Sequence, residues 1–180
     1  MSNKRHNNWA KFGIPAIVAL RLILPFFLWW NALAAVVLVL LADLADGEVF
    51  RRAFAFKKID TYQEIDKALD FYWYCFALIY STRFPIFNIL LFFFLLRAVG
   101  TILFSVQKDR KFLVLFPNIF ENLFIFYVVT LAFPNLIIST KSGLSFLNLL
   151  ISTGLKIIQE YVLHLKQFQF YEFFTGRRWL

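Results

Sequence analysis

Four aspartates stand at intervals that allow joint chemistry: Asp43 and Asp46 are three residues apart, Asp66 and Asp70 four apart. On a helix, residues three or four apart lie on one face. Two antiparallel helices carrying these pairs would bring four carboxylates to one point. Carboxylates so placed repel one another, and some take up protons unless a cation sits among them. A divalent ion removes that repulsion. The chain has one cysteine, Cys75, and two histidines, His6 and His164. Zinc therefore lacks its usual ligands, and there is neither a CxxC pair nor a disulfide framework. Oxygen donors suit a hard ion, and the expected cofactor is Mg2+ or Mn2+. Gly47, next to Asp46, has no side chain and lets a backbone or phosphate approach closely. Arg51 follows one turn later, and a guanidinium beside metal-binding carboxylates suits a phosphate or pyrophosphate. These residues read as a metal–phosphate site. The bland reading of the same residues is solvated helix ends with local salt bridges, such as Asp46 with Arg51 or Arg52.

The elements that must position them belong to a membrane. Hydrophobic residues make up 61% of the 180-residue chain and charged residues 17%, against about 45–50% and about 25% in soluble domains. Phenylalanine alone supplies 25 residues. A disordered chain is excluded, since low hydrophobicity is its signature. The expected fold is all-α, a polytopic helical bundle of about six transmembrane helices forming one domain over residues 1–180, with the motif region at 43–70. The apolar segments are 13–30, 31–46, 69–82, 84–104, 112–133 and 144–164. A span needs roughly 20 residues. The second and third segments fall short of that, so their helices should run on through the adjoining polar stretches. The alternative is one long span over 13–46.

Charge placement favours six spans. Lys4, Arg5 and Lys11 precede the first segment, Arg51, Arg52, Lys57 and Lys58 follow the second, Lys108, Arg110 and Lys111 follow the fourth, and Lys166, Arg177 and Arg178 follow the sixth. The opposite side carries Arg83 and Lys141. This is a positive-inside pattern with both termini cytoplasmic, in a cytoplasmic membrane. The net charge of +8 is thus assigned to inner loops facing membrane lipid, and no nucleic-acid partner is expected. Trp29, Trp30 and Asn31 make a tight outer turn, and Pro134-Asn135 and Ser142-Gly143 mark the outer loop before the last span. The aromatic and basic tail from Gln167 to Leu180 is either a surface-bound segment or a frayed end.

The pattern resembles the CDP-alcohol phosphatidyltransferase family, whose signature is D-x2-D-G-x2-A-R-x8-G-x3-D-x3-D. This chain reads Asp43-x2-Asp46-Gly47-x3-Arg51 and then Asp66-x3-Asp70, and its stretch 13–27, with Arg21 followed by Pro25, is similar to the family's first span. The likeness covers roughly residues 13–82. It implies transfer of a substituted phosphoryl group from a CDP-linked lipid donor to an alcohol acceptor, with release of CMP, in phospholipid biosynthesis. It further implies that Asp43, Asp46 and Asp66 ligate metal, that Asp70 is a ligand or the catalytic base, that Gly47 lines the nucleotide pocket and that Arg51 contacts the donor phosphates. A homodimer is implied by the resemblance alone.

The chain departs from the signature at three points. Phe50 stands where the family has alanine, Tyr62 where it has glycine, and ten residues separate Arg51 from Tyr62 where the family has eight. The charged set is kept while the small residues that admit a nucleotide are replaced. Two readings stay open: a divergent transferase, and a non-catalytic membrane protein of the same fold with a lost nucleotide pocket. A third, a small transporter, would use Arg97 and Glu121 as its polar path. Elsewhere, Arg21 is expected to snorkel to the inner face, and Arg97 either to attract an acceptor or lipid phosphate or to pair with Glu121, the pairing being favoured. Asn118 and Asn122 extend a polar seam beside Glu121, and Lys156 and Glu160 form an i,i+4 pair.

Overall fold

The structure, a computed structural model, describes residues 9–54, 59–109, 111–134 and 146–161. The basic N-terminus, the loop before the last segment and the tail from Gln167 lie outside the described residues, as do the expectations made for them. The chain folds into two units, Met1–Ala77 and Leu78–Leu180, each taken by itself below. Every described element is helical, and no strand occurs among the described residues.

The first unit opens with a π-turn, Trp9–Gly13, that leads into α1, Ile14–Ile23. Pro25 has no N–H to offer the Arg21 carbonyl four residues back, and the helix tightens into a 3-10 segment, Leu24–Trp29. The chain then reverses. Trp30 and Asn31 both donate their N–H to the Phe27 carbonyl, and the Asn31 side chain accepts from the Ala34 N–H at 3.0 Å, capping α2, Ala32–Phe54. Residues 13–46 are therefore two helical runs with a turn at Trp30–Asn31, not one long helix. α2 continues through the polar stretch to Phe54, and α3 spans Ile59–Ser81. Both short apolar segments extend as helices beyond their apolar parts. Phe76 on α3 packs against Phe26 and Trp29, with ring centroids 4.9 and 6.0 Å away, and the Tyr72 hydroxyl donates to the Leu22 carbonyl. These contacts set the height of α1 against α3.

The second unit contains the end of α3, then α4 (Phe87–Gln107), a single turn α5 (Lys111–Leu115), α6 (Ile119–Ala132) and α7 (Phe146–Glu160). Its core is aromatic. Phe120 and Phe124 are fully buried, Phe84 stacks on Phe124 and packs at a tilt on Tyr127, and Phe94 meets Phe120 edge-on. The expected continuous span over 112–133 is absent. Pro117 ends the first turn, and α6 restarts with Asn118 as its cap, whose side chain accepts from the Glu121 N–H. Among the described residues, two helices are long and apolar enough to cross a membrane: Trp9–Trp29 and Phe87–Gln107, each of 21 residues. α6 has 14 residues, fewer than a full span requires.

The break at Pro117 explains Arg97. Its guanidinium does not pair with Glu121. It is buried and donates to the carbonyls of Leu113, at 3.3 Å, and Phe116, at 3.0 Å, groups that the broken helix leaves without N–H partners. The Asn118 amide instead donates to the Glu121 carboxylate at 2.6 Å. The side chain of Glu160, expected to pair with Lys156, lies outside the described residues.

Gly100 completes the clasp. A methyl group there would overlap the Phe116 Cβ and stand 3.3 Å from the Phe112 carbonyl. Gly100→Ala sets a gain of about 1 kcal/mol in helix propensity against an overpacking cost of about 1–3 kcal/mol. The clash involves a Cβ, which has no rotamer escape, so the net effect should be destabilising. Thermal melting of the variant in detergent should show a lower Tm, and a raised one would mean that the 111–116 turn does not lie against Gly100.

Candidate functional site

The site belongs to the first unit. Helical spacing places Asp43 and Asp46 on one face of α2, and Asp66 and Asp70 on one face of α3. The structure brings all four together, as their spacing predicts. It also places Arg21 of α1 among them. This arginine is 5% exposed, its guanidinium turned to the carboxylates. One guanidinium nitrogen contacts Asp46 and, at 3.0 Å, Asp66. The other lies 3.1 Å from Asp43 and 2.6 Å from Asp70. A flat guanidinium with its donors in a fixed fork can serve four acceptors in this way. The physical cause of its burial is the carboxylates themselves, since a buried cation persists only where it is paired.

Each aspartate gives one oxygen to Arg21. The second oxygens of Asp66 and Asp70 both lie 2.8 Å from the Lys67 ammonium. The second oxygen of Asp46 accepts from the Tyr62 hydroxyl at 2.9 Å. Asp46 is almost wholly buried, at 1% exposed, whereas the Asp43 side chain is nearly half exposed. Burial favours the neutral acid at Asp66, but Lys67 and Arg21 outweigh it and hold this carboxyl below the usual range. Burial, reinforced by Asp66 and Asp46, pushes the Tyr62 hydroxyl far above its ordinary value, so it stays protonated and remains a donor.

Carboxylate oxygens of Asp43, Asp46 and Asp66 lie within 4.8 Å of one another. Oxygens on opposite sides of a magnesium ion stand about 4.2 Å apart, so a small closure suffices to hold an ion. The donor set is all oxygen, and four carboxyl groups face two cationic side chains, two more than those cations can neutralise. Charge and chemistry therefore fit one hard divalent ion, of a kind the structure does not specify. An ion entering here competes with Arg21, Tyr62 and Lys67 for the same oxygens.

Phe50 and Tyr62 sit directly beside this cluster. The Phe50 and Tyr62 rings pack with centroids 4.8 Å apart, and Phe50 is buried. A Cβ at Gly47 would lie 3.4 Å from the Tyr62 hydroxyl oxygen, so the open face of Gly47 is covered by Tyr62. Arg51 is on α2, which continues past it, but its side chain lies outside the described residues. Arg52 pairs with Glu48 at 2.5 Å and stacks on Trp9, so it is not a partner of Asp46. Sequence reasoning did not assign Lys67 or the inward-facing Arg21 to the site. Lys67 carried a usable signal, since it adjoins Asp66 and stands three residues from Asp70.

Compared with known proteins, the chain matches no family model, no curated protein and no solved structure.

Removing Arg21 leaves four carboxylates facing one another with Lys67 alone among them. Arg21→Met should cost on the order of 3 kcal/mol, at the lower end for a broken buried ion pair because Asp43 is partly solvated. The lost cation should be replaceable. The Tm of the variant should therefore rise with millimolar Mg2+ more steeply than that of the wild type. A variant that melts lower but ignores Mg2+ would show that no ion binds among these oxygens.

Proposed function

We propose that this chain is a divergent membrane enzyme of the CDP-alcohol phosphotransferase type. The observation that supports this reading is the convergence of Asp43, Asp46, Asp66 and Asp70, from two helices, around one cationic centre. In the proposed reaction the acceptor hydroxyl attacks the lipid-side phosphorus of the CDP-linked donor. The new phosphorus–oxygen bond forms, the pyrophosphate bond breaks, CMP leaves, and the hydroxyl proton passes to a carboxylate. Asp43, Asp46 and Asp66 hold Mg2+ or Mn2+, which when bound offsets the charge of the donor pyrophosphate and of departing CMP. Asp70 is the base or a further ligand, and it can act as a base only when Lys67 or Arg21 releases one of its oxygens. In this reading Gly47 lines the nucleotide pocket and Arg51 contacts the donor phosphates. The proposed setting is a six-span protein of the cytoplasmic membrane with both termini inside and the site at the inner boundary. Its partners are the CDP-linked lipid, the alcohol acceptor, surrounding membrane lipid and a second copy of the chain.

A second reading is favoured by one specific observation. Tyr62 covers Gly47 and bonds to Asp46, in the place where the transferase reading seats the nucleotide. On that reading the fold and the charged cluster persist without catalysis.

Binding of CDP to the purified protein, with and without Mg2+, separates the two. The transferase reading expects saturable, metal-dependent binding that Asp46→Asn weakens by at least tenfold, as removal of a charge-assisted contact worth about 1.5–3 kcal/mol requires. The second reading expects no binding to the wild type. It also expects binding to appear in the double variant Phe50→Ala/Tyr62→Gly, which restores the family's small residues. A folded double variant that still fails to bind would remove the nucleotide from both readings.

A further inference from the structure

The second unit holds a cavity that plays no part in the aspartate chemistry. It has a volume of about 710 Å³, within the range of small-molecule sites. Phe112, Leu115 and Pro117 line it from the α5 turn and the break that follows, and Ile157 lines it from α7. Asp109 and Lys111 supply its polar lining. Leu115 and Ile157 are exposed, so apolar surface is presented there without protein cover. The wall is preformed, because Arg97 holds the Leu113 and Phe116 carbonyls while Gly100 lets Phe116 close on α4.

Charge adjoins this apolar space. The stretch from Lys108 to Lys111 carries three cationic residues and one carboxylate. Lys108 ends α4 in a left-handed conformation, with φ of 56°, which turns the chain so that Asp109 accepts the Lys111 N–H. The Lys111 side chain is 78% exposed, with its ammonium 3.9 Å from the Asp109 carboxylate, at the outer limit of an ion pair. The basic turn follows directly on Phe87–Gln107, the more apolar of the two helices able to cross a membrane. An apolar cavity beside a basic turn at the end of such a helix has the polarity of a phospholipid with an anionic head group.

We propose that this cavity seats an acyl chain of an anionic phospholipid, with the lipid phosphate held by Lys111. The lipid is a resident of the second unit and is not the donor of the proposed reaction. The inference rests on the membrane setting given under Proposed function and not on the aspartate cluster.

The test titrates the full chain, purified in detergent, with phosphatidylglycerol or phosphatidylcholine and counts retained lipid by native mass spectrometry. Phosphatidylglycerol should be retained about fivefold better, the effect of one basic side chain at an anionic surface. Lys111→Gln should lower retention of phosphatidylglycerol more than that of phosphatidylcholine and so remove that preference. Ile157→Trp, a substitution at an exposed position, should narrow the cavity and lower retention of both lipids. Glycerol phosphate, a head group without chains, should not compete. Equal retention of the two lipids by the wild type, undiminished retention by Ile157→Trp, or displacement by glycerol phosphate would each overturn the proposal. Failure of the membrane setting itself reads out separately, as release of the protein from membranes by alkaline carbonate.

Discussion

Placing one guanidinium within reach of four carboxylates is the constraint on which the first unit depends. Arg21 comes from α1, Asp43 and Asp46 from α2, Asp66 and Asp70 from α3. A buried charge without a partner is too costly to persist, so each helix must keep its height and rotation relative to the other two. A slip of one residue in α1 would turn Arg21 by about 100° and leave its cation without partners. The Phe26–Phe76 contact and the Tyr72–Leu22 hydrogen bond lie further along the same pair of elements and hold the same register. Apolar packing alone would tolerate sliding here, since α1 and the start of α2 are smooth aliphatic runs. The ion network supplies the uniqueness that such surfaces lack.

The same network ties Phe50 and Tyr62 together. Tyr62 donates to Asp46, lies against Gly47 and packs on Phe50. Each ring fills space that the other leaves. Lys67 adds a second cation on the α3 side. The cluster thus contains within the chain part of the charge and hydrogen bonding that a ligand would otherwise bring. Whatever binds there must exchange with these groups, and its affinity is the difference between the two sets of contacts.

Much of this was legible in the sequence, for a physical reason: helical periodicity is local. The spacings 43/46 and 66/70 require only that each stretch be helical, and both are. The extension of α2 and α3 beyond their apolar parts follows from the lengths of the apolar runs. What local spacing cannot supply is the environment that meets a side chain from elsewhere. Arg21 reads as a snorkelling arginine because nothing near it in sequence is acidic, and its partners lie 22 to 49 residues away. Arg97 was matched to the acidic residue that hydropathy made conspicuous. Its real partners are main-chain carbonyls, which Pro117 released. The proline was the available signal, and it also broke the segment 112–133 that hydropathy averages into one span. Counting apolar segments gave six. Length and polarity of the described helices support two as membrane-crossing on their own, because α2 and α3 carry the charged cluster.

Energetics bears on what that cluster is for. Replacing a buried ion network with apolar side chains of similar volume is often neutral or stabilising by about 1–4 kcal/mol. A chain with 25 phenylalanines has no shortage of apolar alternatives. Stability therefore does not account for four carboxylates, an arginine and a lysine at one point, and register alone would be met by a single pair. Four acidic groups exceed what two cations neutralise, and the surplus either takes up protons or meets a further cation. A protein that keeps such a surplus beside a largely apolar helix bears a desolvation cost that a proton or an arriving cation offsets. On that ground the cluster is read as a place that could hold a metal ion, which would exchange with the cations the chain itself supplies.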